Sequence, residues 1–124
     1  MQWVAALSQD GWSTAMNLPE ITPRIFLRHQ RQLRAFLMGH EAWFSTRDLR
    51  RLLNTDINRR TLFRLCDDQH RRVRLRTANG WFEEEAVVSE SGLHDLLSVY
   101  CFHPENRMLR RWVSQEVVAV LRIG

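Results

Sequence analysis

An α+β fold, a small antiparallel sheet or set of hairpins with about four short helices in a single domain, is what this 124-residue sequence predicts. Three observations carry the prediction. Short apolar runs alternate with polar or glycine-containing turns from Ile25 to Phe44, the patterning of strands. Asn79-Gly80 separates two further runs and is a strong short-range hairpin signal. Elsewhere, apolar residues recur at i, i+3 and i+4 behind residues that cap helices.

Residues 1–23 stand apart. Trp3, Val4 and Leu7 can share one face of a short helix there, but Gly11, Pro19 and Pro23 break any longer one, and Trp12 follows the break. They read as an N-terminal arm on a domain spanning 24–124. Inside the domain, Ile25-Phe26-Leu27 and Leu33 to Phe36 flank the turn His29-Gln30-Arg31, and Gly39-His40-Glu41 turns into Ala42-Trp43-Phe44.

The stretch from Phe44 to Cys66 organises the rest. Ser45 suits the N-cap of a first helix, with Asp48 three residues on as a weak capping box and Phe44 able to pack on Leu49. At about 100° per residue, Leu49, Leu52 and Leu53 fall on one side and Arg47, Arg50 and Arg51 on the other. Asn54-Thr55-Asp56 turns the chain and Asn58 caps a second helix. In that helix Leu62, Leu65 and Cys66 keep core spacing, while Arg59, Arg60 and Arg64 face outward. Arginines in a first helical turn oppose the helix dipole, a placement that an external phosphate would relieve. The six arginines and Asn58 are therefore candidate nucleic-acid contacts. Two blander origins compete: the basic residues are all Arg, which coding bias can produce, and an arginine-covered face is often only solvated.

Farther on, Val73 and Leu75 alternate with Arg72, Arg74 and Arg76, and Trp81 to Val88 returns after the turn. A two-residue type I′ turn sets Arg76 opposite Glu83 and Arg74 opposite Glu85. It also sets Leu75 against Glu84, which argues for a bulge or a longer loop. Arg72 and Arg74 are candidate contacts that cross-strand carboxylates partly occupy. Ser89 caps a third helix with Leu93, Leu96, Leu97, Tyr100 and Cys101 inward. Pro104 suits the first turn of a fourth, with Met108, Leu109, Trp112, Val113, Val117 and Val120 inward.

The charge is polarised along the chain. From Arg24 to Arg76 fourteen Arg face five acids, a local excess of +9, whereas residues 77–124 carry −3 and residues 1–23 carry −2, for a total of +4. A basic middle of this kind is the footprint of a polyanion binder. With 44% hydrophobic and 26% charged residues the composition is that of a globular protein. No apolar run reaches the roughly 18 residues of a membrane span, and the start shows no secretory pattern, so a cytoplasmic protein without membrane contact is expected. Cys66 and Cys101 form no CxxC pair or disulfide framework. They could join His70 and His103 in a zinc set, but both cysteines fall on apolar helical stripes where a thiol simply packs, so no metal or cofactor is expected.

Three blocks, taken with the order of elements, resemble the BRO-N domain, the N-terminal module of baculovirus BRO proteins and of many phage and prophage antirepressors. They are Trp43-Phe44 followed by Arg47-Asp48-Leu49; Val88-Ser89-Glu90-Ser91-Gly92-Leu93; and Arg111-Trp112-Val113-Ser114-Gln115-Glu116-Val117 followed by Arg122 and Gly124. The correspondence runs from about Ile25 to Gly124. It implies a small α/β domain that binds DNA in phage and viral regulators. Two departures stand out: Asn54-Thr55-Asp56-Ile57-Asn58 lies where many members read G-Y-x-N, and the first helix lacks the usual D-V-A start. Members often continue into a second domain; this chain looks like a stand-alone version, similar to the AlpA-type prophage regulators that act through antitermination.

Residues and resemblance together lead us to expect a sequence-specific double-stranded DNA-binding transcription regulator of phage or prophage origin. Arg59, Arg60 and Arg64 would approach a groove while Arg47, Arg50 and Arg51 hold phosphates. One form of it is a positive regulator or antiterminator acting with RNA polymerase. The alternative is an antirepressor that grips and inactivates a phage repressor, using Glu83 to Glu85 or the arm. An enzyme is not expected: His94 and Asp95 are adjacent on a helix and point apart, and no phosphate loop or metal motif appears. A basic face does not by itself separate DNA from RNA, although no exposed aromatic platform for RNA is evident.

Overall fold

The computed structural model describes residues 17–100 and 105–123, the side chains of Val99 and Tyr100 excepted. The predicted helical face of Trp3, Val4 and Leu7, and Trp12, Cys101, His103, Pro104 and Gly124, lie outside the described residues. Six strands, β1 (Glu20–Ile21), β2 (Arg24–Arg28), β3 (Arg31–Met38), β4 (Glu41–Ser45), β5 (His70–Arg76) and β6 (Phe82–Ser89), form one sheet ordered β1-β5-β6-β4-β3-β2. Neighbours are antiparallel except β1, which runs parallel to β5. The fold is α+β. Glu20-Ile21, read from sequence as part of the arm, belong to the sheet. They pair with Arg74 and Leu75 on the outer edge of β5, where the Arg74 N–H donates to the Pro19 carbonyl at 2.9 Å and Arg74 ion-pairs with Glu20.

The turns follow from local chemistry. His29 and Gln30 both take positive φ, 52° and 67°, the requirement of the two-residue hairpin turn that joins β2 to β3. The β5–β6 register differs from the two-residue prediction. Arg76 pairs with Phe82, Arg74 with Glu84 and Val73 with Glu85, so Arg74 is not opposite Glu85 nor Arg76 opposite Glu83. One extra loop residue explains this: the Gly80 N–H bonds the Thr77 carbonyl at 2.9 Å and Gly80 sits at φ +89°, a turn closed by a left-handed glycine. The shifted register puts Val87 on the face of Val73 and Leu75 and turns Glu85 toward Arg34.

Among the described residues the α-helices are α1 (Thr46–Leu53), α2 (Arg59–Leu62), α3 (Glu90–Asp95), α4 (Asn106–Trp112) and α5 (Ala119–Ile123). Leu33, Ala35, Phe44 and Val88 of the sheet pack with Leu49, Leu53, Leu93, Leu96, Leu97, Leu109, Val113 and Val117 in the main core; Phe36, Trp43, Val73, Leu75 and Val87 form a second cluster. Of the predicted inward positions, Met108 is 60% exposed and Val120 37%. Met108 lies one residue off the stripe of Leu109, Val113 and Val117. Beyond it the chain takes wide π turns over Val113–Val118, which rotate the stripe and bring Val118 and Leu121 inward instead of Val120. No helix among the described residues is long and apolar enough to cross a membrane.

Ser89 caps α3 by accepting the Gly92 N–H at 3.1 Å. A Cβ on Gly92 would stand 2.6 Å from the Gln69 carbonyl oxygen, which is backbone and cannot swing away. Gly92→Ala is expected to cost about 1–3 kcal/mol by overpacking. Chemical denaturation would read it, and an unchanged midpoint would mean the 3₁₀ turn at Asp67–Gln69 yields freely.

Candidate nucleic-acid interface

α1 begins where β4 ends. The Ser45 hydroxyl accepts the Asp48 N–H at 3.1 Å, and Leu49 and Leu53 enter the main core, so helical periodicity leaves Arg47, Arg50 and Arg51 exposed. Asn54 ends the helix in the left-handed region at φ 51°. Ile57, 3% exposed, anchors the following loop. Asn58 then caps α2, accepting the Thr61 N–H at 3.0 Å while its amide nitrogen donates to Asp56 at 3.0 Å. Both ends of that side chain are engaged within the protein, which makes Asn58 a positioning residue for the loop.

The second helix is shorter than its pattern predicts. It stops at Leu62, and the chain descends through tight turns in which the Arg64 N–H bonds Thr61 and the Leu65 N–H bonds Leu62. Residues i and i+3 align in such turns, so Leu62 and Leu65 both reach the core without a longer α-helix. Cys66, predicted to pack, is exposed on an extended residue. Among the described residues no three His, Cys, Asp or Glu side chains are grouped to hold a metal ion.

Two adjoining clefts open over this region. One, of about 650 Å³, runs between α1, α2 and the β5–β6 hairpin and is lined by Arg47, Arg50, Arg59, Arg71 and Arg72. The other, also about 650 Å³, shares Arg47, Arg50 and Asp56 and adds Arg51. Four of the six helical arginines are thus gathered together. Arg60 and Arg64 are exposed but line neither cleft, because α2 turns away after a single turn. Arg72 reaches the first cleft yet is ion-paired to Glu84, and Arg74 lies outside it, paired to Glu20. Arg47 and Arg50 keep only loose partners, Glu83 at 3.6 Å and Asp56 at 3.9 Å, with about half of each arginine exposed. Among the described residues neither Arg51 nor Arg59 is within ion-pair distance of a carboxylate. Arg71, which the sequence did not single out, joins them because β5 starts beside α2; its guanidinium sits over Trp43 at 6.0 Å.

No family model, curated protein or solved structure matches the chain. The likeness to BRO-N proteins therefore stays a resemblance carried by the sequence blocks.

Below the clefts lies a buried polar cluster that sequence reading did not pick out. Arg34, 9% exposed, donates from Nε to Asp48 Oδ2 at 2.8 Å and from Nη2 to Glu85 Oε1 at 2.8 Å, and its backbone N–H also meets Asp48 Oδ2 at 2.8 Å. Ser45 donates to Glu85 and accepts from Arg34 at 3.1 Å. Asp48 thus turns inward to Arg34 in place of closing the capping box. Burial works against the charge on Arg34, but the bonds from Asp48 and the field of Glu85 outweigh it and raise its pKa. Burial also raises the Glu85 pKa, against the pull of Arg34 and Arg47. Glu85 is the less compensated carboxylate, since Asp48 holds Arg34 through two guanidinium nitrogens.

A pH dependence follows. A carboxyl whose folded pKa lies above its unfolded value contributes stability that is full below the ordinary 4.5 and fades as pH rises through the raised value. The unfolding free energy of the native chain minus that of Glu85→Gln is expected to fall across that interval. A flat difference would show that burial of Glu85 carries no proton linkage.

Proposed function

We propose that the chain is a double-stranded DNA-binding regulator of transcription, of the kind its BRO-N resemblance implies, acting in the cytoplasm and without catalysis. The observation that carries this reading is the pair of clefts in which Arg47, Arg50, Arg51, Arg59 and Arg71 converge from two helices and a strand. Guanidinium groups on rigid elements suit phosphates and guanine edges, and each base-reading arginine is worth about 1–3 kcal/mol of discrimination. Fluorescence anisotropy with a labelled duplex tests it. Five phosphate contacts give a log–log salt slope of about −4.5, and salt-indifferent binding would contradict the assignment.

A protein partner is the second reading. Of Glu83 to Glu85, Glu85 is buried on Arg34 and Glu84 pairs with Arg72, which leaves Glu83, exposed and only loosely met by Arg47, as the open part of that acidic run. What favours a protein contact is the outer strand β2, where Ile25 and Leu27 are 59% and 68% exposed on one face. A repressor, as in the antirepressor reading, or RNA polymerase, as in antitermination, would meet the domain there while the arginine clefts hold DNA. Promoter assays with and without a downstream terminator separate simple activation from antitermination.

A further inference from the structure

We propose that the first arginine cleft also seats an unstacked nucleobase on Phe63, an inference that rests on the nucleic-acid reading of that cleft. Phe63 is 68% exposed and belongs to neither apolar cluster, so its ring does little for the core. It stands at the end of α2, where its N–H bonds the Arg59 carbonyl at 3.0 Å, and it lines the same cleft as Arg59 and Arg71. His70 meets the ring edge-on, with centroids 6.3 Å apart and planes at 64°. That contact braces the ring against a residue that lines the same cleft.

An aromatic face between cations is the arrangement that holds a base by stacking and its flanking phosphates by charge. A regular duplex hides its base faces inside the stack. The site therefore fits a nucleic acid that offers a free one, either a single strand or a duplex interrupted by an unpaired base. Stacking accepts any base, so the preference would be for the unpaired state rather than for a letter.

The experiment uses the full chain and three fluorescein-labelled DNAs of one sequence: a perfect duplex, the same duplex with one bulged base, and the single strand. A 2-aminopurine at the bulge reports stacking directly. The bulged duplex is expected to bind about tenfold more tightly than the perfect one, with quenching of the 2-aminopurine on binding. Phe63→Leu, which keeps an apolar side chain without a π face, is expected to erase the difference between bulged and perfect duplex; Phe63→Trp should retain it. A single strand that also binds in a Phe63-dependent way would place the free base, rather than the bend at a bulge, as the ligand. Binding that ignores the bulge, or a preference that survives in Phe63→Leu, overturns the inference and leaves the DNA-binding reading standing. Failure to bind all three DNAs overturns that reading and the inference with it.

Discussion

Arg34→Met is expected to lower the unfolding free energy by about 3–5 kcal/mol, the range for removing one partner of a buried ion pair. The guanidinium lies between Asp48, fully buried, and Glu85, 4% exposed, so its loss leaves two carboxylates facing each other away from water. The exposed pairs are worth far less. Arg47 with Glu83 and Arg50 with Asp56 belong to a class that contributes about 0–1 kcal/mol each. Urea denaturation followed by circular dichroism reads the difference. Adding Glu85→Met to Arg34→Met should recover part of the loss, because it removes the carboxylate that only Arg34 and Ser45 satisfied. A loss under about 1 kcal/mol in the single variant would mean that the cluster is hydrated and holds nothing together.

The largest functional effect is expected from Arg47→Gln, Arg50→Gln and Arg59→Gln combined. If each holds a phosphate, the salt slope weakens by about 2.7, and counterion release alone then predicts roughly three orders of magnitude of lost affinity at low salt. Folding should be nearly untouched, since all three side chains are exposed. The comparison is Arg107→Gln, Arg111→Gln and Arg122→Gln, which removes the same formal charge from the C-terminal helices. Equal losses in the two triples would make net charge, and not the clefts, the source of affinity.

Much of the fold was legible in the residues. Ser45, Asn58 and Ser89 announce their helices because an N-cap is a local bond, and each accepts the N–H three residues on. The β2–β3 and β3–β4 hairpins follow from alternation and turn chemistry. What escaped depends on partners distant in sequence. Arg34 looks like one more basic residue in an apolar run until β6 brings Glu85 beside it. The length of α2 was set by the route of Leu65 into the core, which no local signal states. At the candidate site, Arg47, Arg50, Arg51 and Arg59 were found by helical periodicity. Arg71 and Phe63 were missed because only the fold, which brings His70 at the start of β5 against Phe63 just past α2, puts them on the same cleft.

The first arginine cleft has one wall from residues 46–63 and the other from residues 70–86. The walls meet only after β6 has docked on β4, two strands that are far apart along the chain. Before that closure, a polyanion encounters a diffuse cloud of cations with no shape to read. Afterwards it would encounter the two walls held together as one cleft. On the nucleic-acid reading proposed above, discrimination between ligands would therefore be born with tertiary structure, while the bare attraction would already be present in the unfolded chain.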